Sequence, residues 1–214
     1  MRFCAAVAAV AALTSACTNA APVPAPAPVP PPTTTTSAAP TLAELDARAK
    51  AALPAPAAFD ALGGKYDDAT AALDDLPMPL EGQAIGEVCG ALLRVDKGTS
   101  AARSRSWSGG VYLLERVHVT SEQPAKALVP VVRQQAGVCA PGGEFAVTTP
   151  EGVEESFAYC EPNDGAGALP WTCQVALARG NVFALVSISG QSKKALSGQL
   201  SFVLPIVAEP FLKA

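Results

Sequence analysis

The run TLAELDARAKAAL, residues 41–53, places Leu42, Leu45 and Ala49 at helical spacing behind Thr41, with Glu44 three residues on. This predicts an α-helix opened by a capping box and ended by Pro54 and Pro56. A second helical region is predicted over 57–76, where Phe59, Leu62, Ala69 and Leu73 recur around an interruption at Gly63-Gly64. From Gln83 the period changes, and 85–95 (IGEVCGALLRV), 103–108 and 111–120 (VYLLERVHVT) read as strands. In the last of these Val111, Leu113, Val117 and Val119 share one face with Glu115, while Tyr112, Arg116, His118 and Thr120 share the other with Leu114. One face should be buried and the other partly wet.

Ser121 is the predicted cap of a helix to about Ala136, with Leu128, Val131 and Val132 as its apolar stripe, Pro130 as a kink and Gly137 as its stop. Strand-like segments follow at 144–149, 154–160 and 172–178. After a hairpin-like turn at Arg179-Gly180, the stretch 181–189 (NVFALVSIS) is apolar on both faces and reads as an interior strand. Beyond Ser192, Leu196, Leu200, Val203, Val207 and Phe211 recur at three and four residues, an amphipathic helix despite Pro205. The order strands, helix, strands, helix predicts an α+β fold, with a mainly antiparallel sheet and helices packed on one face.

Composition qualifies this picture. Half the 214 residues are hydrophobic but only 6% are aromatic, and alanine is abundant, so the core buries less area than the apolar fraction suggests. The net charge of −4 offers nothing to a phosphate backbone, which argues against a nucleic-acid partner. A single histidine, His118, excludes His-rich metal sites and paired-histidine relays. The chain has no P-loop, H-E-x-x-H or G-x-S-x-G motif, so no cofactor, metal or catalytic residue is predicted.

At the N-terminus, Met1-Arg2 precede an apolar run from Phe3 to Leu13 that is too short to span a bilayer, which needs about 20 residues. This is the pattern of an export signal. Leu13-Thr14-Ser15-Ala16-Cys17 resembles a bacterial lipobox, which implies cleavage after Ala16 and lipidation of Cys17; the alternative is an ordinary signal peptide cleaved near Ala16 or Ala20, which would leave the chain secreted. Residues 18–40 carry prolines at 22, 24, 26, 28, 30, 31, 32 and 40 and contain no Leu, Ile, Met or aromatic residue. Such a segment favours polyproline II at about 3.1 Å per residue, a semi-rigid spacer of roughly 70 Å.

Of six cysteines, Cys4 falls in the signal and Cys17 at the lipobox, leaving Cys89, Cys139, Cys160 and Cys173. Four cysteines in an exported domain imply two disulfides, and none forms the C-x-x-C pair of a redox or zinc motif. Three connectivities are open. The simplest local choice pairs Cys160 with Cys173 across EPNDGAGALPWT, a turn-rich segment between two strands, and leaves Cys89 for Cys139.

Candidate binding chemistry is sparse. Arg103 and Arg105 share one strand face leading to Trp107, and with Arg94 or Arg116 they form a possible grip for an anionic ligand, the indole serving as a wall. Asp67-Asp68 and Asp74-Asp75 would share a helical face, as a solvated surface or a hard-cation site. His118 is a candidate pH sensor, and Trp171 a packing partner for a disulfide.

From Cys89 onward the chain resembles the PknH-like extracellular sensor domain family, found on actinobacterial receptor Ser/Thr kinases and as stand-alone exported lipoproteins. The resemblance rests on Cys89, Val111-Tyr112 opening a strand, a helix ending at Cys139, and the run CQVALARGNV at 173–182. The chain departs from that pattern in having no Trp before Cys139, and Ser189-Gly190 where Cys-Gly is common. The resemblance implies a two-layer sensor-like domain with a surface cleft, disulfides and an unidentified ligand, and it implies no catalytic residues. The expected organisation is a signal peptide (1–16), a lipidated Cys and Pro/Ala/Thr-rich linker (17–40), a helical part (41–82) and a sensor-like domain (83–214). The expected protein is non-enzymatic, extracytoplasmic and anchored to the outer face of the cell membrane by lipid. Its expected partner is a small-molecule or cell-wall ligand, with an envelope structural module or an unrecognised hydrolase as alternatives.

Overall fold

Thr41 caps helix α1 (Leu42–Ala51) as its sequence predicts: its hydroxyl accepts from the Glu44 N–H, and the Glu44 carboxylate accepts from the Thr41 N–H at 2.7 Å. The computed structural model describes residues 39–66, 84–94, 100–109, 112–163 and 169–214. The signal segment, Cys17, nearly all of the linker and both Asp pairs, Asp67-Asp68 and Asp74-Asp75, lie outside the described residues.

The second predicted helix is corrected over 57–66, and its remainder, 67–76, lies outside the described residues. Pro56–Leu62 forms a 3-10 helix that stops at Gly63, where φ is 75°, a left-handed conformation that glycine adopts without penalty. A short strand, β1 (Lys65–Tyr66), follows. The segment read as one strand over 85–95 is a hairpin of β2 (Ala84–Val88) and β3 (Ala91–Arg94). Its two-residue turn, Cys89-Gly90, has positive φ at both positions, 52° and 75°. That geometry matches the twist of the flanking strands, and alternation alone does not reveal it.

Six strands form one antiparallel sheet in the order β1-β4-β5-β8-β7-β6, where β4 is Ser100–Ser108, β5 Tyr112–Thr120, β6 Glu155–Pro162, β7 Trp171–Arg179 and β8 Val182–Gly190. The expected interior strand is β8, hydrogen-bonded to β5 and β7. A two-residue turn at Gly180-Asn181 joins β7 to β8. The strand expected over 144–149 is reduced to an isolated bridge between Glu144 and Tyr159.

Helix α2 spans Val129–Cys139, so the predicted start at Ser121 is too early. Pro130 sits in its first turn, where a missing N–H costs nothing, and Gly137 lies inside the helix instead of ending it. Ser192 caps α3 (Lys193–Lys213), which buries Leu196, Leu200, Val203, Val207 and Phe211 as their spacing predicts. By length and composition α3 is apolar enough to cross a membrane, but this stripe is part of the sheet's core.

The fold is therefore α+β, with an antiparallel sheet and two disulfides, Cys89–Cys139 and Cys160–Cys173. Cys160 and Cys173 are direct register partners on β6 and β7, so that bridge staples neighbouring strands. Helices α1 and α3 pack on the face that carries Leu113, Val117, Val175 and Val186. Helix α2 and the β2–β3 hairpin cover part of the other face, over Phe157, Ala176, Phe183 and Leu185.

Candidate ligand cleft

Among the described residues, the second face of the sheet is only partly roofed, and the remainder is a cleft of about 750 Å³. That volume lies in the usual range for small-molecule sites. Register explains the floor. Tyr112, Ser189, Thr172 and Glu161 are successive partners across β5, β8, β7 and β6, and Leu114, Ser187 and Gln174 form the adjoining row. The next row along, Arg116, Leu185 and Ala176, runs toward the roofed part, and its Arg116 and Leu185 still border the cleft. The cleft is polar where the sheet emerges from under its cover.

Gln174 is 4% exposed and Glu161 is 7% exposed. The Gln174 amide donates from Nε2 to the Glu87 carbonyl at 2.9 Å and to Glu161 Oε1 at 3.0 Å. Both partners are acceptors, so the amide cannot be flipped, and Oε1 is the atom left over. Among the described residues, Gln174 Oε1 and Glu161 Oε2 have no hydrogen-bond partner. Buried polar atoms are normally satisfied, and two acceptors left open beside a cleft are what a ligand with donors would complete. Burial raises the pKa of Glu161; the Cys89 backbone N–H and Gln174 amide oppose that, and Glu87 adds to it.

The hairpin forms the wall, and three features hold it. The Cys89–Cys139 bridge ties its turn to the end of α2, with a Cα–Cα distance of 6.0 Å. Gln174 grips the Glu87 carbonyl. Gly86 permits close approach, since a Cβ there would lie 2.1 Å from Leu185 Cδ2. Cys89, Cys139 and Glu161 also have metal-ligand spacing, but the two sulfurs are joined to each other and present no thiolate.

The proposed grip of Arg103, Arg105 and Trp107 is corrected: these side chains lie on the opposite face, under α1 and the segment that follows it. Arg103 makes a bidentate pair with Asp46 of α1, both contacts at 2.7 Å. Arg105 donates to the Pro54 carbonyl at 2.6 Å and faces its register partner Glu115, whose carboxyl pKa burial raises well above normal against the opposing pull of Arg105. Trp107 donates from Nε1 to the Pro56 carbonyl at 2.8 Å and meets Phe59 edge-on at 4.7 Å. All three fasten the segment 42–62 to the sheet. Arg116, on the other face, does line the cleft.

His118 is fully buried near Phe183 and does not line the cleft. Desolvation, assisted by Arg116, lowers its pKa to about 3, so it is neutral at physiological pH. Trp171 packs against the core around Cys160 and Cys173.

Sequence reasoning missed the floor of the cleft. The signal was present in β8, where Ser187 and Ser189 interrupt an otherwise apolar face shared with Phe183 and Leu185. Its meaning depended on Thr172 and Gln174 lying in register beside them. No family model, curated protein or solved structure matches this chain.

Proposed function

We propose that this chain is a lipid-anchored, extracytoplasmic binding protein of the PknH-like sensor type, whose domain receives a small molecule or envelope component in the cleft between the sheet and the β2–β3 hairpin. The observation that carries this reading is the pair of buried, unsatisfied acceptors, Gln174 Oε1 and Glu161 Oε2, at a polar floor. Two disulfides suit an oxidising compartment, in keeping with the lipobox-like sequence before Cys17. The hydrolase alternative called for His118 beside a Ser or an acid in a cleft, and His118 is instead buried away from this one.

Native mass spectrometry of the full chain, purified from its own membrane fraction, tests the reading. The expected mass begins at an acylated Cys17, gains four alkyl labels only after reduction, and carries a ligand adduct that Gln174→Leu loses. An unlipidated mass overturns the anchor. A wild-type protein without any adduct, taken from its native envelope, overturns the binding function.

A further inference from the structure

The geometry points to a neutral, hydroxyl-rich ligand, a short saccharide lying across the strands of the cleft floor, an inference that rests on the binding reading above. Side chains able to both donate and accept, Tyr112, Ser189 and Thr172, end at the carboxyl of Glu161 in one cross-strand row, and Ser187 and Gln174 lie beside them. With strands about 4.8 Å apart, the three intervals of that row span roughly 14 Å, an elongated track and not a point site.

The unsatisfied atoms decide the polarity of the occupant. Gln174 Oε1 and Glu161 Oε2 both accept, so the ligand must bring O–H or N–H groups to that end. An acceptor-only anion would meet two lone-pair oxygens there, with the Glu87 carboxylate close by, while the cleft's cation, Arg116, sits on β5, three strands from Glu161 and two rows further along. Along the rest of the row Thr172 Oγ1 and Ser189 Oγ bond to each other at 2.9 Å, so either can be donor, and the pair can present a donor or an acceptor to a ligand hydroxyl. Tyr112, 39% exposed at the far end of the row, supplies a ring face for the apolar side of a sugar. A polyol satisfies every member of this row without requiring a charge on either partner.

Amide chemical shifts of the isotope-labelled mature chain are to be followed while it is titrated with neutral trisaccharides (maltotriose, cellotriose and triacetylchitotriose), with spermidine as a polyamine probe and with laurate as an apolar anion. The expected result is saturable change at Thr172, Gln174 and Ser189 with at least one trisaccharide. Gln174→Leu should weaken that binding by at least about tenfold, the effect of losing one buried hydrogen bond. If Gln174→Leu fails to fold, Thr172→Val with Ser189→Ala serves instead, with the same expectation. Response of these amides to spermidine or laurate but to no saccharide overturns the saccharide inference and leaves the binding function standing. No response to any probe overturns both.

Discussion

Arg103 on β4 holds Asp46 on α1 through two charge-assisted hydrogen bonds of 2.7 Å, one from Nε and one from Nη2. The fork fixes both the register and the orientation of α1 over the sheet. Removing one partner leaves the other charge poorly solvated, so Asp46→Ala should destabilise the domain by roughly 3 kcal/mol. Chemical denaturation measures this. Because the pair lies on the face opposite the cleft, ligand affinity of the folded variant should stay unchanged. A large loss of affinity would mean that the two faces communicate.

The disulfides differ in loop length, 50 residues for Cys89–Cys139 and 13 for Cys160–Cys173. Each should contribute about 2–4 kcal/mol, and on chain entropy alone the longer loop contributes about 1 kcal/mol more. Urea unfolding of the two double-serine variants should show that order. Loss of Cys89–Cys139 should also speed amide exchange at the hairpin turn, while loss of Cys160–Cys173 should leave the turn protected.

Gly86 is a contact position, not a turn. A methyl group there would overlap the Leu185 side chain, which has to rotate or push the hairpin outward. Gly86→Ala should cost roughly 1–3 kcal/mol, the usual penalty of overpacking. Adding Leu185→Ala should recover part of this instead of summing with it, which a double-mutant cycle reads directly.

The buried histidine sets an acid limit. Its folded pKa of about 3 lies below the unfolded value near 6.5, so the stability from keeping His118 neutral is complete above pH 6.5 and is lost as pH falls toward 3. The total is on the order of several kcal/mol. Glu115 acts in the opposite sense: with its folded pKa raised, its contribution is fully present below its unfolded pKa and is lost as pH rises through its folded value. Because the two groups pull in opposite directions, the test is a difference: between pH 7 and pH 3 thermal melts of the wild type should decline relative to those of a variant without the histidine. The decline should be much shallower in His118→Leu. An equal decline in both would place the acid sensitivity elsewhere.

Local pattern determined a large share of this protein. Helical spacing marked α1 with its capping box and the buried stripe of α3, and alternation separated the two faces of β5, including Glu115 on the apolar side. The cysteine count and spacing implied the two disulfides and, by the simplest local choice, their pairing. The helix and strand patterns are short-range, set by the periods of those elements. Periodicity says which residues share a face, but not what is laid over it. Arg103, Arg105 and Trp107 were correctly placed together on one strand face, yet only the docking of the segment 42–62 turned them into fasteners instead of a ligand grip. The hairpin at Cys89-Gly90 and the late start of α2 were decided by turn geometry and by packing on the sheet. The cleft itself exists because strands distant in sequence bring Tyr112, Ser189, Thr172 and Glu161 into one row. Four strands in register make that row, and no single segment of the chain contains it.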